Sequence, residues 1–268
     1  MNGNAPPVSL DIRDWSVTYA GGGRQVHAVK NCSLSVARGK IVGLVGESGS
    51  GKSTLLMSVP KLLPAGAVTS GRIFCAGQEI SCLGEEEINR WRWRRVALIP
   101  QGAMNSFTPH LTIERHIYEV LECHLGIPRQ DRAEKAAELA AMAELERDAL
   151  YRYPHELSGG QKQRAALALA LACAPDFLLA DEPTTALDVI TQKDVLETIA
   201  SLVRERGMGL LLVTHDLPLA AAASDSLVVM KDGEFVEQGP SREVSHSPRH
   251  PYTRKLVAAI MDMDGERR

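Results

Sequence analysis

The sequence is short of aromatic residues, which make up 4% of its 268 residues, so aliphatic and alanine side chains must fill most of the interior. It also lacks an apolar run of the roughly 18 to 20 residues that a membrane-spanning helix needs. The most apolar tract, 165–175, is too short and is rich in alanine. We therefore expect a protein that is soluble on its own.

Three further absences narrow the class of protein. A basic surplus is missing, and the formal net charge of −3 argues against broad nucleic-acid binding. A basic segment followed by apolar residues is missing at the start, so we predict no signal peptide. The cysteines are odd in number and scattered, without a CxxC pair: Cys32, Cys75, Cys82, Cys123 and Cys173. Reduced thiols in the cytoplasm are the simplest interpretation of that pattern.

Strand and helix signals alternate along the chain in the manner of an α/β protein. Segments 8–19 and 25–36 alternate apolar and polar residues, which predicts antiparallel strands joined by a turn at Gly21-Gly22-Gly23. Short apolar runs predict strands buried on both faces, as in a parallel sheet. These runs are 40–45, 96–100, 177–180 and 210–213.

The remaining segments complete this outline. A further strand is predicted at 71–75, and a hairpin of strands 226–230 and 233–236. Helices are predicted at 51–58, 83–95, 191–205 and 252–261. Segment 111–150 is rich in Glu and Ala with helical periodicity, which indicates an inserted helical lobe.

A phosphate-binding pattern lies between a predicted buried strand and a predicted helix. Segment 46–53 reads GESGSGKS and fits GxxxxGK[ST], and this context supports the motif beyond its letters. Lys52 is expected to reach the β- and γ-phosphates, and the Ser53 hydroxyl to bind Mg²⁺. Glycines let backbone N–H groups approach the phosphates. The predicted nucleotide-binding residues of this loop are Gly46, Ser48, Gly49, Ser50, Gly51, Lys52, Ser53 and Thr54.

Two adjacent carboxylates end the apolar strand 177–180. The carboxyl ends of parallel strands face the ligand crevice of an α/β sheet. Asp181 is therefore placed to hold Mg²⁺ through water, and Glu182 to activate the attacking water as a general base. A solvated acidic loop would be the default interpretation if the phosphate-binding pattern were missing.

Two more polar residues follow predicted strands of the same sheet. His215 could contact the γ-phosphate and report its presence, although a lone histidine at a strand end is more often structural. Gln101 could touch Mg²⁺ or the attacking water, but a glutamine is weak support by itself.

The segment Leu157-Ser158-Gly159-Gly160-Gln161 opens an Ala/Leu-rich helix. Ser158 suits the N-cap, and the two glycines leave bare N–H groups that could bind an anion. A capped helix after a tight turn would explain one glycine but hardly two.

Over nearly its whole length the sequence resembles the ABC ATPases. LSGGQ at 157–161 is similar to their signature motif, and Asp181 and Glu182 to Walker B and the catalytic glutamate. The resemblance implies a P-loop NTPase core with a mostly parallel sheet, an antiparallel β edge and an inserted helical subdomain. It also implies one ABC ATPase domain over 1–268: an α/β core at 1–100 and 175–240, a helical signature subdomain at 101–174 and a tail at 241–268.

The same resemblance assigns further residues and the partners. Asp188 matches the D-loop, Gln101 the Q-loop, His215 the H-loop, and Tyr19 the aromatic residue that stacks on adenine. A surface tyrosine in a sheet is the alternative for Tyr19. Family members pair head to tail, so that Ser158, Gly159, Gly160 and Gln161 of one subunit cover the ATP, held with Mg²⁺, of the other. Such subunits work at the cytoplasmic face of the cell's inner membrane with two transmembrane permeases.

The extended Q-loop 99–109 and the tail His250-Pro251-Tyr252-Thr253 resemble the peptide/nickel importers. That subfamily implies a second ATPase subunit, different or identical, and an extracytoplasmic binding protein. Many peptide importers carry a cysteine-rich extension after this tail, and none follows it here, which favours nickel or a metal chelate over a peptide. Leu169 stands where the signature helix often has arginine. A soluble ABC ATPase without a membrane partner is the alternative function.

Overall fold

The computed structural model describes residues 9–21 and 24–265. Two of the predicted turn glycines, Gly22 and Gly23, and residue Val8 lie outside the described residues. The chain forms two compact units, one up to Leu83 and again from Leu211, the other Gly84–Leu210. The functional division predicted from the sequence places its boundaries elsewhere and stays a prediction.

An antiparallel sheet of the first unit contains the two predicted edge strands. Its strand order is β2-β1-β4-β5. The strands are β1 (Ser9–Gly21), β2 (Arg24–Ala37), β4 (Ala67–Cys75) and β5 (Gln78–Glu79). In the paired register, Tyr19 of β1 lies opposite Val26 of β2 on one side and Ala67 of β4 on the other. The predicted antiparallel edge is thus confirmed, and β4 begins four residues before the predicted start.

A second group of strands in this unit is mixed in direction. It contains β3 (Ile41–Val45), β9 (Ser226–Lys231) and β10 (Glu234–Pro240). β3 pairs with β9 in parallel, and β9 pairs with β10 as the predicted hairpin. The hairpin turn has positive φ at both Asp232 (49°) and Gly233 (87°), as a two-residue type I′ turn requires. All five residues of β3 are buried, as its continuous apolar run predicts.

The described residues of the first unit also form four α-helices, of which the last three contact these strands. They are α1 (Lys52–Ser58), α7 (Leu217–Ala223), α8 (Ser241–His246) and α9 (Pro251–Gly265). One core cluster joins the last residue of β3, Val45, to Tyr252 near the start of α9. The C-terminal helix is therefore packed directly behind the strand that leads into the predicted phosphate loop.

The second unit contains the parallel pair β6 (Val96–Ile99) and β7 (Phe177–Asp181). Ile99 lies opposite Ala180 in this register, so the residues that follow each strand emerge at one edge. β8 (Gly209–Thr214) starts in this unit and continues along the chain into the first. The buried-strand predictions at 96–100, 177–180 and 210–213 are confirmed to within a residue or two.

Five α-helices lie in the described residues of the second unit. They are α2 (Glu85–Trp91), α3 (Ile113–Val120), α4 (Arg132–Met142), α5 (Gly159–Ala170) and α6 (Val189–Arg206). Two of them, α3 and α4, lie in the predicted helical lobe at 111–150. A π-helical turn, Leu121–Leu125, extends α3, and short 3₁₀ turns lie at Ala103–Asn105, Arg129–Asp131, Arg147–Tyr151 and Pro154–Glu156.

One helix prediction was wrong at its end. Helix 83–95 was expected, but α2 stops at Trp91. Trp93 adopts a positive φ of 67°, and its N–H donates to the Val96 carbonyl (2.9 Å) instead of continuing the helix. The helical spacing of the charged residues did not reveal this tight return into β6.

Candidate functional site

The glycines of loop 46–51 are required for different reasons. A Cβ on Gly46 would lie 2.1 Å from the Met230 carbonyl oxygen, and one on Gly51 would lie 2.2 Å from that of Ala28. Both positions therefore exclude a side chain by backbone contact. A Cβ on Gly49 would meet none of the described residues within 4 Å, and the φ of Gly49 is +80°, so this glycine serves the left-handed conformation and keeps an open face above the loop.

Lys52, the first residue of α1, lies against this loop. Its Nζ donates to the carbonyls of Gly46 (2.8 Å) and Glu47 (2.7 Å) and to the Ser50 hydroxyl (3.3 Å). The side chain is 5% exposed, which holds a positive charge at the floor of a glycine-lined cradle. Ser53 and Thr54 follow in the first turn of α1 and are half-buried. A cradle with an open face and a buried cation suits phosphate groups.

Tyr19 and His215 lie at other positions in the same unit. The Tyr19 hydroxyl donates to Thr54 Oγ1 at 3.5 Å, a long hydrogen bond, which places its half-buried ring beside the first turn of α1. His215 is exposed directly after β8. The following residue, Asp216, caps α7 through the Leu219 N–H (2.9 Å), which fixes the chain immediately after the histidine.

In the second unit the parallel pair brings Gln101 and Glu182 together. Gln101 Nε2 donates to Glu182 Oε2 (3.2 Å), and the Thr185 hydroxyl donates to the same oxygen (2.9 Å). Glu182 has a φ of 47°, a conformation that is costly for a residue with a side chain. The preceding Asp181 is the last residue of β7 and is 1% exposed.

Asp188 is held at the start of α6. Its two carboxylate oxygens accept from the N–H (3.0 Å) and the hydroxyl (2.7 Å) of Thr191. These hydrogen bonds lower the pKa of Asp188 below its ordinary value, so the group is ionised at neutral pH. The exposed side chain therefore acts as the helix N-cap in this structure.

The segment 157–161 forms the start of α5 as a reciprocal cap. Ser158 Oγ accepts from the Gln161 N–H (3.2 Å), and Gln161 Oε1 accepts from the Ser158 N–H (3.1 Å). Ser158 and Gly159 are exposed, while Gly160 and Gln161 are half-buried. The predicted N-cap is thus present, at a helix start that offers N–H groups and a positive dipole end.

The two glycines of this helix start also make room for neighbouring side chains. A Cβ on Gly160 would lie 2.9 Å from Thr191 Cγ2, and one on Gly159 would lie 3.0 Å from Leu187 Cδ2. From the sequence, both glycines were expected to serve bare N–H groups. Close packing against the segment before and at the start of α6 is an additional reason that no local pattern revealed.

Comparison with known families explains this combination of a phosphate cradle and a glycine-bearing helix start. The family model of the ABC transporters matches residues 29–185, more than half of the chain. The chain belongs to the ABC transporter family. A second model, the C-terminal region of oligopeptide/dipeptide transporters, matches residues 236–268 of this ABC protein.

Curated relatives and solved structures agree with this membership. A probable D,D-dipeptide transport ATP-binding protein of Escherichia coli, DdpD, is 40% identical over 92% of this chain and 77% of its own length. The dipeptide transport ATP-binding protein DppD of the same species is 38% identical, over 94% and 78%. The ATP-binding cassette MJ0796, solved as a dimer after hydrolysis with ADP and Pi, matches with a TM-score of 0.78. It is 31% identical and covers 87% of this chain and 99% of its own.

These matches confirm the ABC ATPase fold and the ATP-hydrolysing class that the motifs predicted. This ABC ATPase binds adenine nucleotide as its family does. Among residues 9–21 and 24–265, no helix is both long enough and apolar enough to cross a membrane.

Two residues that touch the candidate site were not singled out from the sequence. Thr185 donates to Glu182, and the Tyr252 hydroxyl accepts from the Glu47 N–H of the phosphate loop (3.2 Å). Thr185 stands three residues after Glu182, a spacing that a turn would bring together. Tyr252 was noted only as part of a subfamily tail, and nothing in the sequence connects it to residue 47.

Proposed function

We propose that this ABC ATPase powers the import of peptides. The support is the match of residues 236–268 to the C-terminal region of oligopeptide/dipeptide transporters, together with relatives named for dipeptide transport. Nickel or a metal chelate, the cargo favoured from the sequence, receives no support from these relatives. The alternative of a soluble ABC ATPase receives none either.

The proposed assembly contains four further components. A second ATPase subunit pairs with this chain, which the dimeric cassette structures support. Two transmembrane permeases and an extracytoplasmic binding protein complete an importer, in which this chain is peripheral at the cytoplasmic face of the inner membrane. Within the chain, 1–100 and 175–240 would form the nucleotide-binding core, 101–174 the signature subdomain and 241–268 the tail.

Each site residue has a proposed role in binding ATP. The loop of Gly46, Ser48, Gly49, Ser50, Gly51 and Lys52 would hold the phosphates, with Ser53 and Thr54 at the helix start and Tyr19 against adenine. Lys52 already lies in the cradle with its ammonium buried, and a phosphate oxygen would replace one of its acceptors there, Gly46, Glu47 and Ser50. His215 would contact the γ-phosphate.

The catalytic roles rest on the Glu182 carboxylate. Two donors, Gln101 and Thr185, fix one of its oxygens. We assign Glu182 as the base that accepts a proton from the attacking water, and Gln101 as the residue that positions that water. A bound Mg²⁺ would neutralise phosphate charge. The donors Ser53, Gln101 and Asp181 are all hard oxygen ligands of the kind it prefers.

The helix start at 158–161 would act on the neighbouring subunit. Ser158, Gly159, Gly160 and Gln161 would cover the γ-phosphate held by the other chain's Lys52 loop, with Asp188 beside them. Its reciprocal cap leaves an exposed, pre-organised helix end, and this observation carries the proposal of a paired site.

Co-purification tests the assembly. The tagged chain, extracted from membranes with mild detergent, should bring down two permeases and an ATPase subunit. Binding-protein-dependent stimulation of ATP hydrolysis by peptides, and not by nickel or nickel chelates, is the expected cargo response. Recovery of the chain without permeases from membrane and soluble fractions alike would refute the importer. Stimulation by nickel alone would refute the peptide cargo.

A further inference from the structure

A single peptide group of the phosphate loop is held at both ends. The N–H of Glu47 donates to the Tyr252 hydroxyl (3.2 Å), and the carbonyl of Gly46 accepts from Lys52 Nζ (2.8 Å). These two atoms belong to the same planar peptide unit, in which N–H and C=O point in opposite directions. Whatever fixes the N–H therefore fixes the carbonyl that anchors the lysine.

We propose that Tyr252, in the C-terminal helix, is a positioning residue of the nucleotide site. Its hydroxyl sets the orientation of the Gly46–Glu47 peptide, and that peptide sets the position of the Lys52 ammonium. The inference rests on the proposed role of Lys52 in holding phosphates. The C-terminal region would then have a role in the ATP site, in addition to any role of that region in transport.

Tyr252 is itself firmly placed. It is 8% exposed and packs in the cluster that contains Val45, the residue directly before Gly46. The Lys231 ammonium lies 4.9 Å from the centre of its ring, within the range of a cation–π interaction. Burial raises the pKa of the Tyr252 hydroxyl above its ordinary value, so the group stays neutral at physiological pH.

The loop cannot easily adjust on its other sides. Gly46 is pressed against the Met230 carbonyl, the neighbour of Lys231 in β9, and a Cβ there would approach to 2.1 Å. The Ser50 carbonyl accepts from the Gly233 N–H (3.0 Å) in the hairpin turn. The hydrogen bond from the Glu47 N–H to Tyr252 restrains the first peptide of the loop as well.

The test replaces only the hydroxyl. In Tyr252→Phe the ring keeps its packing and its place beside Lys231, but the Glu47 N–H loses its acceptor. We expect the dissociation constant for ATP to rise by about three- to tenfold, the effect of one net hydrogen bond. The melting temperature without nucleotide should fall by about 2–4 °C, because the same hydrogen bond is present in the nucleotide-free protein. Tyr118→Phe is the matched control, because that hydroxyl donates only to Glu114 on its own helix (3.1 Å) and should leave the affinity unchanged.

A double-mutant cycle with Lys52→Ala separates positioning from general stability. If Tyr252 acts through Lys52, Tyr252→Phe should lose its effect on ATP affinity once Lys52 is removed. Equal effects in both backgrounds would overturn the inference, as would an ATP affinity in Tyr252→Phe that equals that of the wild type. Tyr252→Ala removes the packing of the ring as well as the hydroxyl. If Tyr252→Ala weakens ATP binding while Tyr252→Phe binds ATP as the wild type does, the role of Tyr252 is structural only.

The outcome also distinguishes this inference from the proposed function. An unchanged ATP affinity in Lys52→Ala would refute the proposed phosphate site itself. A large loss in Lys52→Ala with none in Tyr252→Phe would leave the site standing and refute only the role of Tyr252.

Discussion

Gln101 Nε2 lies 3.2 Å from Glu182 Oε2, which joins the residues that follow two neighbouring parallel strands. Thr185 donates to the same oxygen, so one oxygen of the carboxylate is held by two donors. A carboxylate fixed in this way is suited to accept a proton from a water in a defined position.

Glu182→Gln should therefore remove the base but preserve nucleotide binding. We expect ATP hydrolysis to fall by about 10²- to 10⁴-fold, with ATP affinity close to that of the wild type. Phosphate release and ATP titration measure the two quantities. Glu122→Gln, which removes an exposed carboxylate that accepts from Arg132 (2.6 Å), should leave hydrolysis intact. Normal turnover in the assembled Glu182→Gln transporter would exclude Glu182 as the base.

Lys52→Ala should weaken ATP binding by about 10- to 100-fold, because a charge-assisted hydrogen bond to phosphate is lost. Equilibrium titration with ATP measures the change. Lys40→Ala serves as the control, since that lysine pairs with Asp225 at the surface of the same unit (3.0 Å) and should not alter affinity. A similar loss in both variants would indicate a general electrostatic effect.

Mixing Ser158→Arg chains with Lys52→Ala chains tests the paired site. In a mixed pair, one cradle is intact and faces an intact helix start, so hydrolysis should exceed that of either variant alone. Ser158→Thr keeps the capping hydroxyl and is the control. If pairing is verified and no activity returns, the head-to-tail arrangement is contradicted for this chain.

Gly160→Ala should strain the start of α5, because its Cβ would lie 2.9 Å from Thr191 Cγ2. Thr191 cannot turn away freely, since its hydroxyl is bonded to Asp188. Overpacking of this kind costs about 1–3 kcal/mol, against about 1 kcal/mol gained from helix propensity. Both the melting temperature and the rate of ATP hydrolysis should be lower in Gly160→Ala than in the wild type.

The compensating variant is Thr191→Ser, which removes Cγ2 and keeps the hydroxyl. Combined with Gly160→Ala it should restore the melting temperature, while Thr191→Ser alone should change it little. A stable Gly160→Ala protein with no need of Thr191→Ser would show that the two elements adjust without cost.

The ion pair of Glu144 with Arg164 should make the free energy of unfolding depend on pH in the acidic range. The hydrogen bond from Arg164 lowers the pKa of Glu144, and a carboxyl whose folded pKa is depressed stabilises the protein above its unfolded pKa. That contribution is lost as the pH falls through the folded pKa. Glu144→Gln should therefore lower the melting temperature by about 1–3 °C at pH 7, a small shift because the ion pair is exposed. At pH 3 the same substitution should lower the melting temperature by less. An equal shift at both pH values would contradict the assignment.

Local chemistry was enough to predict much of this molecule. The buried strands were read from continuous apolar runs, and the cradle at 46–53 and the cap at 158–161 from residue types that act within a few positions of one another. Such features depend on contacts between near neighbours, which a linear pattern records. The sequence was misleading at Trp93, where a tight return into β6 ends a helix that the charge spacing would have continued.

Other properties depended on residues far apart along the chain. Gly51 excludes a side chain because of the Ala28 carbonyl, and Gly160 because of Thr191. Tyr252 reaches the Glu47 N–H across 205 positions of sequence. No periodicity or spacing encodes such meetings, because they arise only when folding packs separate elements against one another. The sequence thus predicted which groups could hold a nucleotide, and the tertiary structure determined which neighbours pack against those groups.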